Sequence, residues 1–355
     1  VTQITISHME KVLITGSGGL IGSAAAMYFG ERGFQVAGID NNMRAGFFGP
    51  EASVLPSIEN LKAKLQGRYA HFSANIRYPE QYEKVFQNNK FDLIIHTAAQ
   101  PSHDWAAKDP LVDFDVNARA TLLLLEATRK YCPEAVFIHM STNKVYGDRP
   151  NFISFTEGKK HYTPNNEGYR NGIDEEMPID DCMHSLFGCS KAAADLYVQE
   201  YGKYFGMKTV VFRGGCLTGE NHKGAELHGF LSYLVKCAMT GKKYTIFGYK
   251  GKQVRDNIHS HDVCTAFHEV YKAPVSGEVF NIGGDQYSNC SILEAIDIIE
   301  KISGKKVQYD YIDVPRKGDH IWYISNMSKF MRMYPNWRHT FNIEQIITQI
   351  IKSYQ

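Results

Sequence analysis

Short apolar runs alternate with longer amphipathic stretches from Lys11 to Arg213. Lys11-Val12-Leu13-Ile14-Thr15 is an apolar run closed by glycines and reads as a strand buried on both faces. Ile21 to Arg32 has helical composition and stops at Gly33. Gln35 to Ile39 predicts a second strand, ending at Asp40, and Ala70 to Ala74 a weak third. The polar, Gly/Pro-punctuated stretch 41–66 between them predicts no core element. Asp92 to His96 and Ala135 to Met140 are two further buried strands, separated by a helix over Val116 to Tyr131. A helix over Gly188 to Phe205 and a strand over Thr209 to Arg213 complete the series. Strand–helix alternation of this kind predicts a doubly wound parallel sheet in an α/β fold.

Two regions depart from the pattern. Asn151 to Asp181 is polar, aromatic and rich in Gly, Pro and Asn, which predicts a loop or lid. After Gly214 the segments are mixed. Helices are expected over Gly229 to Thr240, His261 to Lys272 and Ile292 to Ile302, with a strand over Glu278 to Ile282. The expected organisation is a nucleotide-binding domain over 9–213 and a smaller mixed α/β lobe over 214–355, interwoven with it. Val1 to His8, ahead of Met9, read as an expression-vector remnant.

The 355 residues suffice for a large core. With 39 Lys+Arg against 38 Asp+Glu there is no basic excess, so neither nucleic acid nor an anionic membrane is expected as partner. No apolar run approaches the ~20 residues that span a bilayer. The seven scattered cysteines lack a C-x-x-C pair, which predicts reduced thiols and a cytoplasmic location. The 14 histidines show no H-E-x-x-H spacing, so no metal site is expected.

The chemistry starts at Gly16, Gly19 and Gly22, which form G-x-x-G-x-x-G between the first strand and the first helix. The first glycine permits a tight turn, the second lets backbone approach a pyrophosphate, and the third lets the helix pack on the sheet. Asp40 places a carboxylate at the end of the second strand, suited to ribose hydroxyls and repelling a 2′-phosphate, so NAD is favoured over NADP. Arg44 nearby works against that preference.

Three motifs then fall in order: the glycine turn, Ser141-Thr142-Asn143-Lys144-Val145-Tyr146-Gly147-Asp148, and His184-Ser185-Leu186-Phe187-Gly188-Cys189-Ser190-Lys191. Together they resemble the extended short-chain dehydrogenase/reductase family, in its nucleotide-sugar epimerase branch. The resemblance implies a Rossmann-type fold with a smaller substrate lobe, and a homodimer built on the helices Val116 to Tyr131 and Gly188 to Phe205. It also implies a cofactor site of Gly16, Gly18, Gly19, Leu20, Ile21, Gly22, Asp40, Asn41, Asn42, Arg44, Asn75, Ile76, Ala98, Ala99, Gln100, Asn117, Ser141, Lys191 and Arg213. Asn75 stands where the family has aspartate, keeping an acceptor oxygen and losing charge.

In that family a tyrosine hydroxyl takes the proton of a sugar hydroxyl while a hydride leaves to NAD. A lysine four residues later, on the same helical face, lowers the phenol's pKa, and a Ser or Thr hydroxyl at a strand end shares the hydrogen bond. The matching catalytic positions are Phe187, Lys191 and Thr142, so the phenol is missing. Two explanations compete: an engineered Tyr→Phe trap, or a native phenylalanine with another group moving the proton. The second is preferred, because Leu186 also replaces a common proline. Lys144 is the first choice of substitute base, with a purely hydrogen-bonding role as its equal alternative; Cys189 and Cys216 follow.

Tyr169 to Glu175, Gly251-Lys252-Gln253-Val254-Arg255-Asp256-Asn257-Ile258-His259 and Phe280 to Gly284 are similar to the 2-epimerases of CDP-linked deoxysugars. That similarity covers nearly the whole chain from Lys11. It implies substrate contacts at Gln100, Ser102, Lys144, Gly215, Cys216, Leu217, His228, Gln253, Arg255 and Arg316. Arg255 and Arg316 would hold the diphosphate of a nucleotide-diphosphate sugar, for which a guanidinium fork is suited. A CDP-sugar is favoured. Other ketone-intermediate chemistry, such as 4-epimerisation, decarboxylation or dehydration, and a catalytically silent NAD- and sugar-nucleotide-binding protein remain open alternatives.

Overall fold

The computed structural model describes residues 9–219, 229–316 and 318–354. Fifteen strands are found among them: β1 (Lys11–Thr15), β2 (Gln35–Ile39), β3 (Tyr69–Phe72), β4 (Leu93–His96), β5 (Val136–Thr142), β6 (Phe155–Glu157), β7 (Tyr162–Pro164), β8 (Thr209–Gly214), β9 (Cys216–Thr218), β10 (Tyr244–Phe247), β11 (Val254–His259), β12 (Glu278–Ile282), β13 (Asn289–Ser291), β14 (Tyr309–Ile312) and β15 (Trp322–Tyr323). Seven of them form one parallel sheet in the order β12-β8-β5-β4-β1-β2-β3. The order reverses between β1 and β4, and a ligand crevice is expected outside the strand ends at such a point.

The apolar runs are explained by burial on both faces. Val12 and Ile14 of β1 pack into one core layer, with the helices Leu20–Glu31, Leu55–Leu65 and Ser260–Lys272. Leu13 points into the other layer, with Pro79–Gln87, Ala120–Tyr131 and Leu186–Phe205. Period-two alternation thus sends each strand's side chains into two cores. The doubly wound sheet and smaller lobe follow the sequence-based expectation.

Five elements differ from expectation. Glu278–Ile282 is the outer strand of the main sheet, paired in parallel with β8. The stretch 41–66 contains the helices Met43–Phe48 and Leu55–Leu65, the second burying Ile58, Leu61 and Leu65 at helical spacing. The helix over Val116 to Tyr131 begins with a π turn, Asp115–Arg119, before Ala120–Tyr131. A terminal helix, Ile343–Lys352, buries Ile346, Ile347, Ile350 and Ile351 in the core of the smaller lobe.

The segment 151–181 is a brace rather than a lid. It forms the β6–β7 hairpin and packs Ile153, Ile173 and Met177 against Val145, Tyr146, Trp322 and Tyr323. The Ile173 amide donates to the Ile324 carbonyl at 2.7 Å, and Glu175 accepts from the Asn281 amide at 2.6 Å. None of its residues lines the central cleft among those described.

Beneath the strand ends lies a buried ion pair. Arg213 of β8 donates from Nη2 and Nε to both oxygens of Asp195, at 2.9 and 3.0 Å, and neither side chain is more than 6% exposed. Such a pair is weak evidence for net stability, but removing one member strands the other charge. Asp195→Ala is therefore expected to cost about 3–5 kcal/mol in urea unfolding. Asp195→Leu combined with Arg213→Met should cost far less than Asp195→Ala; equal costs would show that the stranded charge is not the source of the loss.

Candidate active site

A single cleft of about 1010 Å³ runs from the glycine turn to the smaller lobe, over the C-terminal ends of β1, β2, β4, β5 and β8. At one end it is walled by Gly16, Gly18, Gly19, Leu20, Ile21 and Gly22. Gly16 has φ +70°, and a Cβ there would meet the Ala98 amide nitrogen at 2.7 Å. A Cβ on Gly22 would come within 2.0 Å of the Gly16 carbonyl oxygen. The first-turn amides of the helix beginning at Leu20 have no intrahelical acceptor and face this cradle, which fits a pyrophosphate.

Asp40 stands beside the cradle and accepts hydrogen bonds from the amides of Gly18 (3.0 Å) and Asn42 (2.8 Å). Burial raises its pKa, and those two amides oppose the rise. It therefore braces the glycine loop as well as offering oxygens to a ribose. Asn41, Arg44, Asn75, Ile76, Ala98 and Ala99 also line this end. The Asn75 side-chain oxygen accepts from the Arg77 amide and guanidinium, at 3.1 and 3.2 Å. Arg44 stacks over Phe48, 4.9 Å from its centroid.

Four expected cofactor contacts are not on the cleft wall. Gln100 is fully buried, and its amide group donates to the Ser102 carbonyl and to Asp113. Asn117 donates to the Gln100 carbonyl, Asp113 and Ser190, tying the turn after β4 to the helix that carries Lys191. Arg213 is consumed by Asp195, and Asn42 by the Val54 amide and Ser53 hydroxyl. The side-chain bonds of each run inward to the fold, and Gln100 is likewise off the substrate wall.

The middle of the cleft is bounded by Ser141, Thr142, Lys144, Phe187 and Lys191. Ser141 donates to Asp195 at 2.8 Å, while Thr142 sits at the end of β5 and accepts from the Lys144 amide at 3.3 Å. Lys191 is 3% exposed; its ammonium donates to the Met140 carbonyl at 2.9 Å and lies 3.3 Å from His139 Nε2. Burial brings its pKa down to about 8 against the opposing pull of Asp195 and Asp113. His139 lies below, held uncharged by burial and then by Lys191. Phe187, one turn before Lys191 on the same helix, presents its ring to this part of the cleft.

The far end is cationic. Lys144, Arg255 and Arg316 line it together with the acid Asp319. Lys144 donates to the Gly318 carbonyl at 2.8 Å; burial, with Arg255 adding repulsion and Asp319 opposing, brings its pKa to about 8. Arg255 gives one bond to the Val254 carbonyl at 2.7 Å and pairs with Asp319 through another nitrogen. Arg316 lies over Phe247 at 4.3 Å. Ser102, Gly215, Cys216, Leu217 and Gln253 are also on this wall. His228 lies outside the described residues. Of the other substitute bases, Cys189 is exposed and off the wall, and burial pushes the Cys216 thiol up to about 11, where it keeps its proton.

One wall residue carried no signal in the sequence: His103, the first residue of the short helix His103–Lys108, whose ring meets Phe187 edge-on with centroids 5.1 Å apart. A solitary histidine after a Gln-Pro-Ser turn belongs to no spacing rule. Among the described residues no cluster of His, Cys, Asp and Glu is placed to hold a metal, and no helix is long and apolar enough to cross a membrane.

Comparison with known proteins agrees with this arrangement. CDP-paratose 2-epimerase of Salmonella typhi is 31% identical over 329 residues, covering 90% of this chain and 92% of that protein. A dTDP-glucose 4,6-dehydratase of Salmonella typhimurium is 26% identical, covering 97% and 92%. Among solved structures, a Tyr→Phe variant of UDP-glucuronic acid 4-epimerase from Bacillus cereus, in complex with a fluorinated UDP-sugar and NAD, superimposes with a TM-score of 0.79 at 25% identity, covering 97% of this chain and 98% of that one. The model of the NAD dependent epimerase/dehydratase family matches residues 12–283, and the chain belongs to that family, with NAD as its cofactor.

Proposed function

We propose that the chain is an NAD-dependent epimerase of a nucleotide-diphosphate sugar, acting at C2 of a CDP-linked deoxysugar through a transient ketone. The observation that carries this reading is one continuous cleft with the NAD cradle at one end and Lys144, Arg255 and Arg316 at the other. Between them stand Thr142 and Lys191. The likeness to CDP-paratose 2-epimerase supports the sugar class and the carbon.

When bound in the glycine cradle, NAD would supply the hydride acceptor and donor for the sugar carbon. Around that exchange the chain's own groups have separate tasks. The cationic end holds the diphosphate, and Arg255 can do so with planar, fork-like donors. Lys191, fixed by the Met140 carbonyl, keeps an N–H free for the nicotinamide ribose. The Thr142 hydroxyl holds the reacting sugar oxygen. The helix Leu186–Phe205 exposes Leu196, Tyr197, Tyr204 and Phe205, which supports a homodimer through that face.

Incubation with NAD and CDP-paratose, followed by NMR, should show inversion at C2 with no net reduction of NAD. Loss of water, or inversion at C4, would move the chain to the family's other chemistries. Binding without turnover would make it a silent binding protein.

Asp40→Ala is expected to weaken NAD by roughly 1.5–3 kcal/mol, the worth of a charged hydrogen bond. Preference for NADP over NAD in the parent, or unchanged NAD affinity in the variant, contradicts the ribose role.

Arg255→Ala should raise the dissociation constant for CDP about tenfold or more while leaving NAD content unchanged. Parallel loss of both ligands would place Arg255 in the scaffold instead.

The pH dependence separates two roles for Lys144. As a diphosphate-binding cation it is charged below about 8 and loses its proton above, so substrate affinity should fall between pH 7 and 9. Lys144→Met should remove that fall. If Lys144 is instead the base, turnover rises over the same range and the methionine variant is inert.

A further inference from the structure

Phe187 brings no phenol to the middle of the cleft, whose one lining tyrosine among the described residues, Tyr244, is on β10 of the smaller lobe, yet an imidazole lies against the Phe187 ring. His103 is on the wall, with its ring plane at 69° to that of Phe187 and centroids 5.1 Å apart. Its Nδ1 is 2.7 Å from the Ser185 hydroxyl oxygen. That oxygen is itself fixed, since it accepts the Gly188 amide at 3.0 Å as the cap of the helix carrying Phe187 and Lys191. His103 Nε2 makes no hydrogen bond with the described residues. One ring nitrogen is thus held by an oriented partner, and the other is free on the cleft.

We infer that His103, through Nε2, exchanges the hydroxyl proton of the reacting sugar carbon in place of the phenol that Phe187 lacks. The inference rests on the nucleotide-sugar reading above. As the carbon gives its hydride to NAD, the O–H bond breaks, its proton forms the Nε2–H bond, and the C=O double bond forms. On return the hydride adds to the opposite face of the C=O carbon, the Nε2–H bond breaks and its proton goes back to the oxygen, so the carbon is inverted and no other oxidant or base is consumed.

The partner group suits this task. A hydroxyl both donates and accepts, so Ser185 can receive an Nδ1–H when Nε2 is a base and when the ring is an imidazolium. Burial, with Lys144 adding repulsion and Asp319 opposing, holds the His103 pKa down to about 4. The ring is therefore neutral at pH 7, and it returns a borrowed proton readily. The other candidates are otherwise occupied. Lys144 is tied to the Gly318 carbonyl beside Arg255, Lys191 to the Met140 carbonyl, and Cys216 keeps its proton.

The test uses the full chain with NAD bound. His103→Gln is expected to lower turnover of CDP-paratose at least a hundredfold, with CDP affinity and NAD content within about twofold of the parent. Adding Phe187→Tyr to His103→Gln should restore turnover at least tenfold, a rescue that a structural role for His103 would not give. In 15N spectra of histidine-labelled protein, Nε2 of His103 should report a neutral ring at pH 7 and shift when CDP-paratose is added. Ser185→Ala, which keeps the imidazole, should change its tautomer balance and slow turnover. Near-parental turnover by His103→Gln overturns the proposal, as does an unshifted Nε2 signal. If His103→Gln does not fold, the labelled parent and Ser185→Ala decide by the same signals. A parent that binds NAD but turns over none of a panel of CDP-, UDP- and dTDP-hexoses fails the functional reading itself and overturns the His103 role with it. That outcome differs from an active parent with an unaffected variant.

Discussion

The Asp195 carboxylate is the fixed point of the site. It accepts from Ser141 on β5, from Arg213 on β8 and from Gln199 one turn along its own helix. Those bonds clamp the helix Leu186–Phe205 to two central strands, and Phe187 and Lys191 ride on that helix. The clamp extends outward. Arg213 donates to the Tyr146 hydroxyl at 3.2 Å, Tyr146 donates to Asn281 at 2.8 Å, and Asn281 donates to the Ile173 carbonyl at 2.8 Å. One buried network therefore joins the sheet, the helix with the family lysine and the brace at 151–181. A network this deep is costly when half satisfied, and here nearly all its members are paired.

A second network does the same for the turn after β4. Gln100, Asp113, Asn117 and Ser190 bond one another, setting Ala98 and Ala99 beside the glycine cradle and Ser102 and His103 at the substrate end. Both networks meet on the same helix, through Ser190 and Asp195. Among the described residues the cleft is then a gap between parts that these networks tie together.

Local rules made much of this legible in the sequence. Short apolar runs gave the five strands β1, β2, β4, β5 and β8, because two-sided burial leaves no polar face to confuse the pattern. The glycine turn followed by Asp40 was readable for the same reason: each residue type answers a local steric or electrostatic need. The failures are long-range. β12 reads as a strand, but its choice of β8 as neighbour depends on packing across the fold. The helix Leu55–Leu65 hides among lysines and polar residues, since Ile58, Leu61 and Leu65 alone mark its buried side. Gln100, Asn117 and Arg213 are expected from the resemblance to touch the cofactor, and the sequence cannot show that their bonding groups turn inward. The segment at 151–181 has a loop's composition because its few apolar residues, Ile153, Ile173 and Met177, are spaced by turns.

The electrostatics of the cleft follow from this rigidity. Lys144, half-buried, and Lys191, buried, are cations with depressed pKa values, each anchored to a backbone carbonyl rather than to a carboxylate within bonding distance. Held this way, an ammonium keeps its charge directed at a ligand and is not neutralised by a salt bridge. Burial first, and then the repulsion of Lys144, disfavour a positive charge on His103, which is why it stays neutral in the absence of substrate. An anionic diphosphate beside Lys144 reverses that bias. It lowers the cost of protonating His103 when the sugar is in place and leaves it high when the cleft is empty. Proton transfer at His103 is in this way coupled to occupancy of the phosphate end, with no moving part required.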